Sequence, residues 1–302
     1  MANYTFSFIG TGSMGSALAK AAAKALPAEK ILLSNRTPAK AETLARELGC
    51  SWGPAEQAAR EADYIFLGVK PQMMEGLLAE LAPVLAERTD RFVLVTMAAG
   101  LTMERIAAMA GGEYPVIRIM PNTPCAIGEG IILCDANHAV TAEELDFFTN
   151  AMSGAGVLDR LEERLIDAGS AVAGCGPAFA CLFIEALADG GVACGLPRAK
   201  ALLYAARMLE GTARLMLESG DHPGAMKDAV CSPGGSTIAG VAELERQNRE
   251  MMCQNQELAA KVAAMEEEEL AADFREAFPA LQLGLAESSS PAPKVKNRPG
   301  KP

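Results

Sequence analysis

The sequence predicts an α/β domain followed by an all-helical one, and three observations carry that expectation. Short apolar strand patterns alternate with helical patterns from Tyr4 to Leu158. A glycine-rich turn joins the first strand to the first helix. From about Leu161 only helical spacing remains. A chain of 302 residues, half of them hydrophobic, has the length for two domains and the apolar surface to give each a core.

The first strand is Tyr4-Thr5-Phe6-Ser7-Phe8-Ile9, whose alternation places Tyr4, Phe6 and Phe8 on one face. Gly10-Thr11-Gly12-Ser13-Met14-Gly15 follows, then the helix formers Ala17–Ala25. G-x-G-x-x-G between strand and helix is the dinucleotide-binding fingerprint of a Rossmann-type unit. Its glycines permit the tight turn, the approach of a pyrophosphate and close helix–strand packing. The plainer alternative is a glycine-rich turn that binds nothing. Ile31-Leu32-Leu33 is a short buried strand followed by Ser34-Asn35-Arg36-Thr37. An NAD site usually has a carboxylate here for the ribose 2′-OH. None is present, and Arg36 with Ser34, Asn35 and Thr37 suits a 2′-phosphate instead, hence NADPH over NADH. A solvated arginine in a turn is the alternative.

Pro38–Leu48 reads as a helix with Gly49 beyond its end. Tyr64–Val69, Phe92–Thr96 and Val116–Met120 read as buried strands, ending respectively at Lys70-Pro71, Met97-Ala98-Ala99-Gly100 and Pro121-Asn122-Thr123-Pro124. Ligands of open α/β sheets bind outside the carboxyl ends of the strands. Lys70, Ala98, Ala99 and Asn122 are therefore cofactor-binding candidates by position. Thr141-Ala142-Glu143-Glu144 fits a capping box, and Val157-Leu158 a last, edge strand.

In the helical part, Phe179, Leu182, Phe183, Ala186, Leu187 and Gly190 form one apolar stripe. So few polar residues accompany it that the helix needs cover on more than one side, from a subunit interface or from a domain core. A second long helix, Arg198–Leu217, follows. In Val230-Cys231-Ser232-Pro233-Gly234-Gly235-Ser236-Thr237, Pro233 ends one element and the glycines allow a sharp turn. Ser236 or Thr237 then caps a new helix. Unpaired N–H groups at Gly234, Gly235, Ser236 and Thr237 would form an anion site; an ordinary helix–turn–helix is the alternative. Glu243–Phe274 reads as one long charged helix, and 284–302 as a disordered Ser/Pro/Lys tail. The expected domains are thus 1–160, 161–283 and the tail 284–302.

A net charge of -11 argues against nucleic acid or an anionic membrane surface as a general partner. The eight cysteines are scattered singly, as reduced thiols are, and only His138 and His222 are available to a metal, so no metal site is expected. The first strand begins too early to leave room for a targeting segment, which points to the cytoplasm. The apolar run Phe179–Leu187 is too short to span a bilayer and is interrupted by Glu185.

Several pieces, in order, resemble the pyrroline-5-carboxylate reductases. They are Ile9–Gly15, Val69-Lys70-Pro71-Gln72, Arg118–Pro124, Gly174-Cys175-Gly176-Pro177-Ala178-Phe179, Asp189-Gly190-Gly191, Gly195-Leu196-Pro197-Arg198 and Val230–Gly240. The resemblance implies a Rossmann-type NADP-binding domain followed by an all-helical dimerisation domain with interleaved helices, in homodimers that in this family often assemble into decamers. It implies cofactor contacts from Ile9, Gly10, Thr11, Gly12, Ser13 and Met14, from Ser34 and Arg36, and from Val69, Lys70, Pro71, Met97, Ala98 and Ala99. It maps the substrate loop onto Val230, Ser232, Gly234, Gly235, Ser236 and Thr237, with Thr237 as proton donor. The implied reaction is NADPH-dependent reduction of the cyclic imine 1-pyrroline-5-carboxylate to L-proline. Cys175 stands where the family commonly has Ser, Ala55 where it often has Asn, and Gln247-Asn248-Arg249 where a Gly-Gly-Phe turn is usual. Two other readings stay open: a β-hydroxyacid dehydrogenase, although Pro177–Leu187 lacks the lysine such enzymes carry there, and a non-catalytic NADP-binding regulator.

Overall fold

The computed structural model describes residues 3–250, Asn248 apart. One eight-stranded sheet dominates, in the order β3-β2-β1-β4-β5-β6-β7-β8. Its strands are β1 (Tyr4–Ile9), β2 (Ile31–Ser34), β3 (Ser51–Trp52), β4 (Ala62–Leu67), β5 (Val93–Thr96), β6 (Val116–Pro121), β7 (Gly130–Ala136) and β8 (Gly156–Arg160). All neighbours are parallel except β6 and β7. The chain starts in the middle, winds out to β3, then returns past β1 to β4 (Phe8 opposite both Leu33 and Phe66), which creates a switch point between β1 and β4.

The strand period of two divides the apolar residues between the two faces. Phe6, Phe8, Ile31, Leu33, Phe66, Val93 and Val95 face one cluster, closed by helices α1 (Ser13–Ala25), α2 (Pro38–Leu48) and α6 (Ala142–Met152). Ile9, Leu32, Ile65, Leu67 and Leu94 face the other, closed by α3 (Ala55–Glu61), α4 (Pro71–Ala86) and α5 (Met103–Ala110). Both faces are covered, so these strands read as continuous apolar runs. Tyr4, the first strand residue, packs with the second cluster rather than with Phe6 and Phe8. The Phe8 and Phe66 rings stack at 4.2 Å between centroids. The capping box at Thr141 forms, with Glu144 returning to the Thr141 N–H.

After β8 come α7 (Glu163–Ala173), α8 (Gly176–Ala193) and α9 (Arg198–Ser219). Contacts divide the chain into two compact units after Leu209. In the first, α8 buries only Ala188 and leaves Phe179, Leu182, Phe183 and Leu187 exposed. Taken through the turn at Gly174, the 31-residue stretch Glu163–Ala193 contains a window of mean hydropathy 1.8, long and apolar enough by length and composition to cross a membrane. The expectation that this region is too short corrects accordingly, because α7 extends the run. The second unit holds α10 (Pro223–Val230) and a helix, α11, that starts at 236 and runs through 247. The charged helix expected from Glu243 is thus continuous with the one that starts at Ser236. Its remainder, and the tail 284–302, lie outside the described residues.

Candidate active site

The glycine-rich loop sits at the carboxyl end of β1, at the switch point. Gly10 has φ +107°, and a Cβ there would lie 2.7 Å from the backbone of Gly68, which follows β4. Gly68 N–H donates to Ile9 O and joins the two loops, while Gly10 N–H donates to Ser34 O at the end of β2, both at 2.8 Å. Gly15 is as constrained: a Cβ would stand 2.1 Å from Gly10 O. Gly12 differs, because a Cβ there would meet nothing within 4 Å. Its open side lies at the N-cap of α1, which has no side-chain cap and no acidic residue in its first turn. The N–H groups and dipole at that helix start therefore face free space, as a pyrophosphate requires.

The other candidates gather around this loop. Ser34 is buried at the end of β2, and Arg36 is exposed two residues before α2. Asn35 is a brace: its Oδ1 accepts from Thr11 N–H at 3.2 Å and its Nδ2 donates to Thr37 O at 3.2 Å. Val69 and exposed Lys70 follow β4, and Pro71 opens α4. Met97 and Ala99 flank buried Ala98 after β5. Asn122, by contrast, has its side chain engaged within the protein. Its Oδ1 accepts from Ile131 N–H at 3.0 Å and its Nδ2 donates to Ala173 O at 3.1 Å, so it fastens the end of α7 to the sheet. Sequence reading passed over the neighbouring clasp. Arg118 on β6 is 1% exposed and donates to Asp167 Oδ1 at 2.6 Å and Glu163 Oε1 at 3.4 Å, both on α7.

In the second unit, α10 ends at Val230 and Pro233-Gly234 forms a turn. Gly234 has φ +69° and open space where a Cβ would be. The helix begins at Ser236, so Gly235 occupies the cap position rather than Ser236 or Thr237. The N–H of Gly235 donates to Ser232 O at 3.0 Å and closes the turn. That donor is taken, so of the four N–H groups expected to form an anion site, only those of Gly234, Ser236 and Thr237 are left to it. Ser232, Ser236, Thr237 and Val230 are all exposed.

A separate cavity of about 410 Å³ lies at the opposite, amino end of the sheet, lined by Thr5, Asp63, Tyr64, Arg91, Glu144 and Phe147 among others. It is braced internally: Arg91 grips Glu144 with two hydrogen bonds, 2.7 and 2.8 Å, and Tyr64 donates to Glu144 O. Burial raises the Asp63 carboxyl and the Tyr64 phenol above their ordinary values.

A doubly covered, mainly parallel sheet with a glycine cradle at its switch point defines a Rossmann-type dinucleotide-binding domain. Residues 5–100 match the model of the NADP oxidoreductase, coenzyme F420-dependent, family, and residues 163–277 that of pyrroline-5-carboxylate reductase dimerisation. The chain is 37% identical over 247 residues to the pyrroline-5-carboxylate reductase of Pisum sativum, covering 81% of this chain and 89% of that one. It is 38% identical to that of Escherichia coli K12, covering 79% and 88%. Among solved structures, the Streptococcus pyogenes 1-pyrroline-5-carboxylate reductase superposes with TM-score 0.74 at 32% identity, covering 83% of this chain and 94% of that one. The Plasmodium falciparum pyrroline carboxylate reductase with NADP bound gives 0.72 at 29%, covering 86% and 96%. The chain belongs to the pyrroline-5-carboxylate reductase family and carries that family's dimerisation domain.

Proposed function

We propose that this chain reduces 1-pyrroline-5-carboxylate to L-proline, using NADPH in preference to NADH. The observation that carries the substrate half is the helix start at Ser236, open in front of Gly234 and with the Thr237 hydroxyl exposed beside it. The glycine cradle fits the cofactor half, since the side of Gly12 is empty and the first turn of α1 carries no acid. When bound, the reduced nicotinamide supplies the hydride that the imine carbon accepts.

The chain's own work is positioning. Gly12, Ser13 and Met14 would hold the pyrophosphate, Ser34 and Arg36 the 2′-phosphate, and the backbone of Val69–Pro71 and Met97–Ala99 the remainder. The N–H groups of Gly234, Ser236 and Thr237 would hold the substrate carboxylate, to which the helix dipole adds about 0.3–1 kcal/mol. The Thr237 hydroxyl would hydrogen-bond the ring nitrogen and relay a proton from water, a neutral hydroxyl being a poor acid by itself. An iminium is already a strong electrophile, so this reading includes no metal.

We further read the protein as a homodimer that buries the α8 stripe, with assembly to a decamer as the next step, and as cytoplasmic and not membrane-bound. The match of 163–277 to a dimerisation domain favours a protein partner over lipid for the exposed apolar helix. The described cysteines are free thiols, in keeping with a reducing compartment. The deciding experiment is consumption of NADPH with the imine, with L-proline identified as product. Tight NADPH binding without turnover would support a non-catalytic binder, and oxidation of a β-hydroxyacid would support the dehydrogenase reading. Sedimentation of a stable, active monomer would refute the dimer.

A further inference from the structure

We propose that Asn122 is a positioning residue for self-association: it latches a kink between α7 and α8, and so aims the apolar stripe of α8 at a second copy of this chain. This rests on the homodimer reading above, which the match of 163–277 to a dimerisation domain supports.

Between α7 and α8 the hydrogen-bond ladder breaks although the backbone stays helical. Gly174 (φ -78°, ψ -43°) and Cys175 (φ -84°, ψ -27°) both keep right-handed angles. Ser170 O accepts from Gly174 N–H at 2.8 Å and from Cys175 N–H at 3.0 Å, so one turn is widened by a residue. Ala178 N–H then donates to Cys175 O at 3.0 Å, a tighter turn. Pro177, in the first turn of α8, has no N–H to give. The carbonyl four residues before it, that of Ala173, is thereby left without an intrahelical donor. A widened turn followed by proline is what kinks a helix. Asn122 Nδ2 supplies the missing donor to Ala173 O, at 3.1 Å.

The latch is stiff because Asn122 is buried and held at its other end too, where Oδ1 accepts from Ile131 N–H at 3.0 Å. One partner is a donor and the other an acceptor, which leaves the amide a single orientation. Helix α7 is thus tied to the sheet at both ends, by Arg118 through Glu163 and Asp167 and by Asn122 through Ala173. Helix α8 has no such tie. It buries only Ala188, and among the described residues no side-chain hydrogen bond joins it to the sheet. The direction in which Phe179, Leu182, Phe183 and Leu187 face is therefore set at the kink. A preset stripe avoids the ordering cost that a swinging helix would meet on association. Asn122 lies in the interior and not on the stripe, so an effect of Asn122 on association has to pass through the kink.

The test uses the full chain over a dilution series, with the dimer dissociation constant from sedimentation and folding followed by circular dichroism. Asn122→Asp keeps an acceptor for Ile131 N–H but turns an oxygen toward Ala173 O. It should weaken the dimer roughly tenfold, the effect of one lost hydrogen bond. Pro177→Ala gives Ala173 O the N–H it lacks and lets the ladder run straight. Its helical content should not fall, yet its dimer should weaken as well. The double variant separates the two roles of Asn122. If the amide only satisfies a carbonyl, the alanine N–H replaces it and the double variant dimerises like wild type. If the amide holds the kink, the double variant folds and stays as weak a dimer as the single ones, which is the expected result. A monomeric wild type would overturn the dimer reading and this proposal together. A dimeric wild type matched by the double variant would overturn the proposal alone. Should Asn122→Asp and the double variant fail to fold, a Pro177→Ala that dimerises as tightly as wild type would overturn it in the same way.

Discussion

Removing Asp167 should destabilise the protein more than removing Arg118, the reverse of what their burial implies at first sight. Arg118 is 1% exposed, Asp167 61% and Glu163 25%. Arg118 Nε has no partner at all. Asp167→Ala leaves a buried guanidinium with one weak contact, the 3.4 Å approach to Glu163. Stripping one partner from a fully buried pair costs about 3–5 kcal/mol. The exposure of Asp167 lets water follow, so about 2 kcal/mol is the appropriate figure here. Arg118→Met gives up charge-assisted hydrogen bonds of about 1.5–3 kcal/mol. It also releases a desolvation penalty of several kcal/mol, so the net change should lie within about 1 kcal/mol of zero. Asp167 then returns to water, and Glu163 keeps the Met103 N–H at 2.7 Å. At about 2–4 °C per kcal/mol, Asp167→Ala should melt about 4–8 °C below wild type and Arg118→Met close to it. The double variant should resemble Arg118→Met. Thermal melts followed by circular dichroism and fluorescence check this, and an Arg118→Met that melts well below Asp167→Ala would refute the reasoning.

Thr237→Ala should lose turnover on the imine well beyond any change in melting temperature, with Thr237→Ser largely restoring it; a folded Thr237→Ala enzyme at near-normal rate would leave Thr237 no chemical part. Gly10→Ala should be destabilised by more than the ~1–2 kcal/mol of a left-handed residue, since its Cβ also strikes Gly68 at 2.7 Å. Gly12→Ala should melt like wild type and yet bind NADPH more weakly, because its Cβ enters only the space kept for the ligand; equal behaviour of the two variants would count against the cradle. The hydrogen bonds from Arg91, followed by that from Thr141, hold the Glu144 carboxyl below its ordinary 4.5. A depressed folded value means that the unfolded chain binds the extra proton first. The contribution of Glu144 should therefore be complete above that ordinary value and fade as pH falls through the lower folded one. Glu144→Gln should flatten that acid limb in a melting series against pH.

Most of the sheet was legible because its physics is local. Ile31–Leu33 and Tyr64–Leu67 are buried on both faces, so an unbroken apolar run with a turn behind it sufficed. Strand β7 was missed, although Gly130 and the apolar run Ile131–Cys134 mark it. It pairs antiparallel to β6 across the short 3₁₀ helix Thr123–Ile127, a return that the alternation of strand and helix patterns does not announce. Edge strand β3 has only two residues and owes its existence to β2 beside it. At the site, the glycines were readable because their geometry is written in their own missing side chains. Asn35 and Asn122 were readable as positions but not as roles, since Thr11, Ile131 and Ala173, which engage them, come from other elements.

Helix α8 is ambiguous in the sequence for the same physical reason: what touches it lies elsewhere. For α8, composition demanded cover but could not say from what. Among the described residues that cover is absent: Phe179 is 63% exposed and Leu182 65%. Each such side chain is worth about 1.5–3 kcal/mol when fully buried, so a second copy presenting the same stripe would gain that amount several times over, which is the arrangement a dimerisation domain exists to provide.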